Sequence, residues 1–215
     1  ILQIKNVEFQ FMKILITGGC GFVGSNLCFY LLSKLKVKNL LIETIDNLKK
    51  KSSIINSKRL QKKKITNYKL DVSKKNSFKK LKKYDLIIDC CAEPAVEISK
   101  KNPDKVLATN LIGTLNTIEK ARKDNSKIIF ISTSRVYPIK NTYDYLRKKK
   151  EFDENNNLDG IKSLYGYSKI TSEMLIEEYS YAFNLDYLII RSGLITGPRQ
   201  FGKVEQGLIS LWIIK

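Results

Sequence analysis

The feature that most constrains this chain is a glycine-rich segment, Thr17-Gly18-Gly19-Cys20-Gly21-Phe22-Val23-Gly24, set between an apolar run and a helical stretch. The run Lys13-Ile14-Leu15-Ile16-Thr17 reads as a strand, and the spacing predicts a helix from about Phe22 to Leu35. Positions without side chains let the backbone turn tightly and approach a charged group. The N–H groups and positive end of the following helix favour an anion there. A plain strand–helix turn would also accept glycines, but both flanking elements that the motif demands are present.

The rest of the chain repeats the alternation, as expected of βαβ units and a mostly parallel sheet. Further strands are expected at about Leu40 to Ile45, Ile65 to Leu70, Asp85 to Cys90, Lys127 to Ser132 and Asp186 to Arg191. Between the fourth and fifth, Pro103 to Arg122 carries Val106, Leu107, Leu111, Leu115 and Ile118 at helical spacing. Residues 137 to 163 are polar and irregular and read as a loop over the sheet's carboxyl edge, and Tyr165 to Phe183 is a helix. Another apolar segment begins at Gly207 and runs to Lys215 without a helix-stop signal, so residues 193–215 are expected to open a second, truncated lobe. Residues 1–11 precede Met12 and are read as an extension without an assigned role, which leaves 12–192 as the main domain.

Composition removes several chemistries. The 215 residues contain no histidine, which excludes Ser-His hydrolases and His-based zinc sites together. Cys20, Cys28, Cys90 and Cys91 match neither a metal knuckle nor a redox pair and read as reduced core or loop residues; no metal is expected. The formal charge of +18 raises nucleic acid as a partner. The excess is mostly lysine, spread over Lys49 to Lys51, Lys62 to Lys64, Lys79 to Lys83 and Lys148 to Lys150, and reads as solvated faces rather than a nucleic-acid stripe. No apolar run approaches the roughly 20 residues that cross a bilayer, and the first residues lack a secretory signal, so a cytoplasmic chain with no membrane partner is expected.

A dinucleotide at a glycine turn needs an acid about 20 residues on, at the tip of the next strand, to accept the adenosine ribose hydroxyls. Asp46 fits, and Glu43 is the mid-strand alternative. A carboxylate there repels a 2′-phosphate, which favours NAD over NADP, although Lys49 to Lys51 could blunt that repulsion. Further on, Tyr165-Gly166-Tyr167-Ser168-Lys169 places a phenol and an ammonium on one helix face. A neighbouring ammonium and a cationic nicotinamide both favour the phenolate over its reference pKa of about 10, making Tyr165 a general base. Thr133 lies just past the fifth strand's carboxyl end, where open α/β sheets place ligands; Ser134 is the alternative hydroxyl.

The glycine spacing, Ile45-Asp46-Asn47 and Tyr165/Lys169 resemble the extended short-chain dehydrogenase/reductases, the sugar-nucleotide branch of that superfamily. The resemblance implies a Rossmann-type, doubly wound α/β sheet holding NAD, with Gly18, Gly21, Phe22, Val23, Gly24, Asp46 and Asn47 at the cofactor. It further implies that Asp71 and Val72 border the adenine, and that Cys91 and Ala92, followed by Glu93-Pro94-Ala95-Val96, line the fourth strand's tip. Asn110 would brace the central helix, and Thr133 would join Tyr165 and Lys169 as the third catalytic member. The chain departs from the family in having Asp89 where histidine is common, and Cys90 and Cys91 where small or apolar residues are usual.

The resemblance also bears on the reaction. The 4,6-dehydratases of this branch carry Asp-Glu directly after the catalytic Thr; here Ser134-Arg135 stand there and are assigned to substrate contact. Ser132 to Tyr137, Ser163 to Gly166, Arg191 to Pro198 and above all Gln200 to Gly207 are similar to the CDP-deoxyhexose 2-epimerases. This implies transient oxidation at sugar C2 and return to the opposite face, with Arg199 and Lys203 for the substrate diphosphate. A UDP-sugar 4-epimerase is the close alternative, and a non-catalytic dinucleotide- or RNA-binding relative the distant one. The expected partner is a nucleotide-sugar, with homo-oligomerisation left open.

Overall fold

The computed structural model describes residues 11–94, 100–140, 147, 153–202, 210 and 212. Six strands form one sheet: β1 (Phe11–Thr17), β2 (Asn39–Ile45), β3 (Thr66–Tyr68), β4 (Leu86–Asp89), β5 (Lys127–Thr133) and β6 (Tyr187–Ser192). Their order is β3-β2-β1-β4-β5-β6 and every pair is parallel. Chain order reverses between β1 and β4, so the carboxyl end of β1 opens a crevice between two diverging connections. The glycine segment lies there. β1 opens at Phe11, opposite Asn39, so the strand takes in the last residue of the stretch read as an extension.

Apolar side chains on both faces make these strands the buried core of a sandwich. Ile14 and Ile16 pack with Cys28, Ile42, Leu60 and Ile88 on one face, while Leu15, Ile45, Ile87, Ile128 and Phe130 pack with Ile118 and Ile176 on the other. The first layer is α1 (Phe22–Lys34) and α2 (Lys51–Gln61). The second is α3 (Pro103–Leu107), a π-helical segment (Ala108–Ile112), α4 (Gly113–Asp124) and α5 (Leu164–Phe183). Together they give the doubly wound α/β sandwich.

Two elements differ from the sequence reading. Helix α2 has no apolar stripe to betray it, because its buried face is Ser53, Asn56 and Leu60. Between β3 and β4 a short 3-10 turn, Lys75–Phe78, stands where another helix would be usual, and Phe78 alone carries it into the core. The expected helix over 103–122 forms, but it is broken by the π segment that holds Asn110. The apolar segment expected from Gly207 lies largely outside the described residues.

Candidate functional site

Gly18 has φ +61, and a Cβ on it would stand 2.8 Å from the Cys91 Cα. A Cβ on Gly24 would stand 2.5 Å from the Gly18 carbonyl oxygen. Any side chain at either place fills the space between the turn, the first helical turn and the tip of β4. Gly21 N–H closes the turn on Gly18 O at 2.9 Å. Gly21 is also the N-cap of α1, with no side-chain oxygen on the first-turn amides, so the N–H groups of Phe22, Val23 and Gly24 stay free for an anion. Gly19 was missed: a Cβ there would lie 2.4 Å from Thr44 on β2, a contact that spacing along the chain does not reveal.

The structure separates the two acids of β2. Glu43 is buried and accepts from the Tyr68 and Tyr84 hydroxyls at 3.0 and 2.8 Å and from Lys82 at 3.1 Å, a knot within the core rather than at the crevice. Asp46 lies at the tip. It accepts from the backbone N–H of Cys20 at 3.2 Å and of Leu48 at 2.9 Å, which ties it to the glycine turn. Burial raises its pKa despite those bonds and the Lys50 charge. Asn47 turns the chain beside it, accepting from Lys49 N–H at 3.1 Å.

Asp71 moves the other way. Burial pushes its carboxyl up, but Ser73 and the Lys49 ammonium, 3.2 Å away, together hold it below the usual range. Val72 is buried beneath it and meets Gly113, where a Cβ would lie 2.7 Å from Cγ2. At the tip of β4, Asn110 accepts from Glu93 N–H at 2.8 Å and donates to Glu93 O and to the Ser168 hydroxyl. The Asn110 carbonyl, within the π segment, accepts from the Ser172 hydroxyl at 3.1 Å. Asn110 thereby braces the β4 tip, including Cys91 and Ala92, against α5. Asp89, in place of histidine, is buried and accepts from Thr17, Thr114 and Cys91 N–H. The four cysteines are free thiols, and burial raises the pKa of each, Cys20 and Cys28 to about 12.

At the carboxyl end of β5, Thr133 accepts from Arg135 N–H at 3.2 Å and caps the 3-10 turn Ser134–Val136. Its side chain opposes the upward shift that burial gives the Tyr165 phenol. Helix α5 starts beside it, with Ser163 accepting from Gly166 N–H at 3.1 Å as the N-cap. Contact between Gly166 and the Arg135 backbone brings the elements carrying Tyr165 and Thr133 together, while Ser134 is exposed.

Lys169 lies one turn further along α5. Its ammonium donates to the Ile131 carbonyl at 2.7 Å and lies 4.1 Å from the centroid of the Phe130 ring. Burial lowers its pKa, against the opposing pull of Asp89, the two adjacent thiols and Glu173. The Tyr165 phenol is likewise shifted upward by its own burial, and the groups that oppose this are Thr133 and the exposed Arg135. A spacing of four residues puts the two side chains on one face of α5, and the lysine donates from there to a strand carbonyl.

Arg199 has φ +69, and its guanidinium lies 4.5 Å from the centroid of the Phe29 ring, while Asn26 donates to Pro198 O at 3.2 Å. The turn after β6 is docked on α1, and among the described residues no contact joins Arg199 to Thr133 or Tyr165. Lys203 lies outside the described residues. Sequence reasoning also missed Glu173, which is buried on α5, accepts from the Ser132 hydroxyl, and pairs with Arg191 at 2.8 Å. Among the described residues no helix is long and apolar enough to cross a membrane.

The glycine cradle, the free first-turn amides and the tip acid Asp46 fit a dinucleotide. Comparison with known proteins agrees. Residues 14–215 match the profile described as the NAD dependent epimerase/dehydratase family. A CDP-paratose 2-epimerase from Salmonella typhi is 33% identical, over 92% of this chain and 62% of that protein. A protein from Methanocaldococcus jannaschii described as a putative UDP-glucose 4-epimerase is 32% identical, over 94% and 62% respectively. Among solved structures, UDP-glucose 4-epimerase from Thermotoga maritima with UDP-glucose superposes with a TM-score of 0.74 at 25% identity, over 94% of this chain and 62% of that one. The chain spans less than two thirds of the length of each.

Proposed function

The chain belongs to the NAD dependent epimerase/dehydratase family, and from that premise we propose that the protein containing it is a nucleotide-sugar epimerase, acting at C2 of a CDP-deoxyhexose in the manner of CDP-paratose to CDP-tyvelose. The observation that carries the reading is that Thr133, which ends β5, and Tyr165, in the first turn of α5, are both buried where Gly166 meets the Arg135 backbone, at the sheet edge that also carries Gly18, Gly24 and Asp46. NAD, when bound, supplies a reversible oxidant for a sugar carbinol and so a transient keto-sugar.

The chain's own residues do the rest. Gly18, Gly21, Phe22, Val23 and Gly24 hold the pyrophosphate with backbone N–H groups, and Asp46 and Asn47 hold the adenosine ribose. Asp71 and Val72 flank the adenine, and Asn110 fixes the β4 tip that carries Cys91 and Ala92. Tyr165 removes and returns the hydroxyl proton of the sugar, with Thr133 bonding the substrate oxygen and Arg135 as the cation that opposes the effect of burial on the phenol. Lys169 joins Tyr165 and Thr133 in the catalytic set and at the cofactor, and its ammonium is held on β5 by its bond to the Ile131 carbonyl. Ser134 and Arg135 face the sugar, whereas Arg199 and Lys203 serve the diphosphate.

The similarity to a CDP-paratose 2-epimerase supports C2 chemistry, and Ser134-Arg135 in place of Asp-Glu argues against a dehydratase. Similarity to UDP-glucose 4-epimerases supports a second reading, C4 epimerisation of a UDP-sugar. Incubating the full-length protein with CDP- and UDP-linked sugars and analysing the products separates the two. Turnover of neither, or a Tyr165→Phe variant as active as the wild type, overturns the assignment.

A further inference from the structure

Three lysine–carboxylate ion pairs surround the adenosine side of the crevice. Lys49 pairs with Asp71 at 3.2 Å, Lys50 with Glu93 at 3.3 Å and Lys105 with Glu93 at 3.2 Å. Lys50 also acts on the Asp46 carboxylate. Glu93 is the unusual member. It is buried, its backbone is fixed by Asn110, and its two carboxylate oxygens face lysines from opposite sides: Lys50 precedes α2 and Lys105 lies in α3. In the sheet, β1 stands between β2 and β4, so the Lys50–Glu93 bridge passes from the β4 tip to the β2–α2 connection across the end of β1, where the glycine turn opens.

A 2′-phosphate on the adenosine ribose would add about two negative charges beside Asp46, and a site accepts it only if a cation is at hand. Lysines are present, but they are held by acids from other elements. We propose that Glu93 is a specificity-determining residue: by engaging Lys50 and Lys105 from the β4 tip, it withholds from the ribose end of the crevice the cations that a 2′-phosphate needs, so that the site takes NAD and rejects NADP. The inference rests on the dinucleotide reading of the crevice and adds to it a second acid beyond Asp46.

The test is calorimetric titration of the full-length protein, freed of cofactor, with NAD and with NADP. Glu93→Gln keeps the shape and the backbone bonds to Asn110 but removes the charge. NADP is expected to bind roughly tenfold more tightly relative to NAD in that variant, the scale of one charge interaction gained. Glu93→Gln with Lys50→Ala is expected to lose the gain. Both dinucleotides carry a pyrophosphate, so a general attraction tightens both alike; an unchanged NADP/NAD ratio in Glu93→Gln overturns the inference. Should thermal melting show that this variant does not fold, Glu93→Ala, which likewise removes the charge and leaves the backbone bonds to Asn110, carries the same expectation, and an unchanged ratio there overturns it equally. A wild-type protein that binds neither dinucleotide overturns the crevice reading itself.

Discussion

Gly166 lies against the backbone of Arg135, so that a Cβ on it would stand 2.1 Å from the Arg135 carbonyl oxygen. Helix α5 and the turn after β5 therefore touch main chain to main chain, one residue from Tyr165 and two from Thr133. Gly166→Ala is expected to push α5 off that turn and part the two hydroxyls. A displacement of about 1 Å costs on the order of 100-fold in rate. Steady-state kinetics of the full-length protein should show the loss in kcat, with NAD binding nearly intact because the cradle is elsewhere.

Tyr165 is expected to stay a neutral phenol past its ordinary value of 10.0 in the protein without dinucleotide, because burial raises its pKa. Arg135→Ala should raise it further, since that guanidinium opposes the shift, and added NAD should lower it through the positive nicotinamide. Carbon-13 NMR of ring-labelled tyrosine, with Tyr165→Phe to assign the signal, reads all three. A phenol that titrates below 10 without NAD would contradict the expectation.

Much of this site was legible in the sequence, and the reasons are local. A strand, a glycine turn and a helix are contiguous, so the cradle could be read from about ten residues, and Asp46 followed from its place at the end of the next strand. What was not legible depends on which elements meet in space. Helix α2 buries Ser53 and Asn56 and so shows little hydrophobic period. Nothing along the chain relates Glu93 to Lys50 and Lys105, or Glu173 to Arg191. The Tyr165/Lys169 spacing gave the shared helix face correctly, but the lysine's target, the Ile131 carbonyl, is set by β5.

The two acids of the crevice should contribute to stability with opposite sign. Asp46 has a folded pKa above the ordinary 3.8, so the folded state holds its proton more tightly than the unfolded state. Its contribution is full below 3.8 and is lost as pH rises through the raised folded value. Asp71 has a folded pKa below 3.8; its contribution is full above that value and is lost as pH falls through the lowered one. Urea titrations at a series of pH values should show Asp46→Asn gaining on the wild type as pH rises through the carboxylate range, and Asp71→Asn losing ground over the same range. Parallel curves for the two variants would refute the assignment.

The pair of Glu173 and Arg191 offers the sharpest separation of stability from chemistry. Glu173 is almost wholly buried and receives Nε and Nη2 of Arg191 at 3.0 and 2.8 Å on one carboxylate oxygen, while Ser132 donates to the other. The carboxylate joins α5, β5 and β6 immediately behind Thr133. Removing one partner of a buried pair leaves the other charge without compensation and costs about 3–5 kcal/mol. Arg191 keeps part of its solvation, with 16% of its side chain exposed, and keeps contacts to the Tyr137 hydroxyl and the Glu154 carbonyl at 3.4 Å. Glu173→Gln should therefore fall at the lower end, about 3 kcal/mol, measured as a shift of the urea midpoint at constant slope. Replacing both partners, Glu173→Leu with Arg191→Leu, removes both desolvation penalties and should recover much of that loss. It should not recover kcat, because Ser132 then has no acceptor beside Thr133 and the strand tip is free to shift. Recovery of stability and rate together would show that the pair is only a structural tie, with no bearing on where Thr133 meets Tyr165.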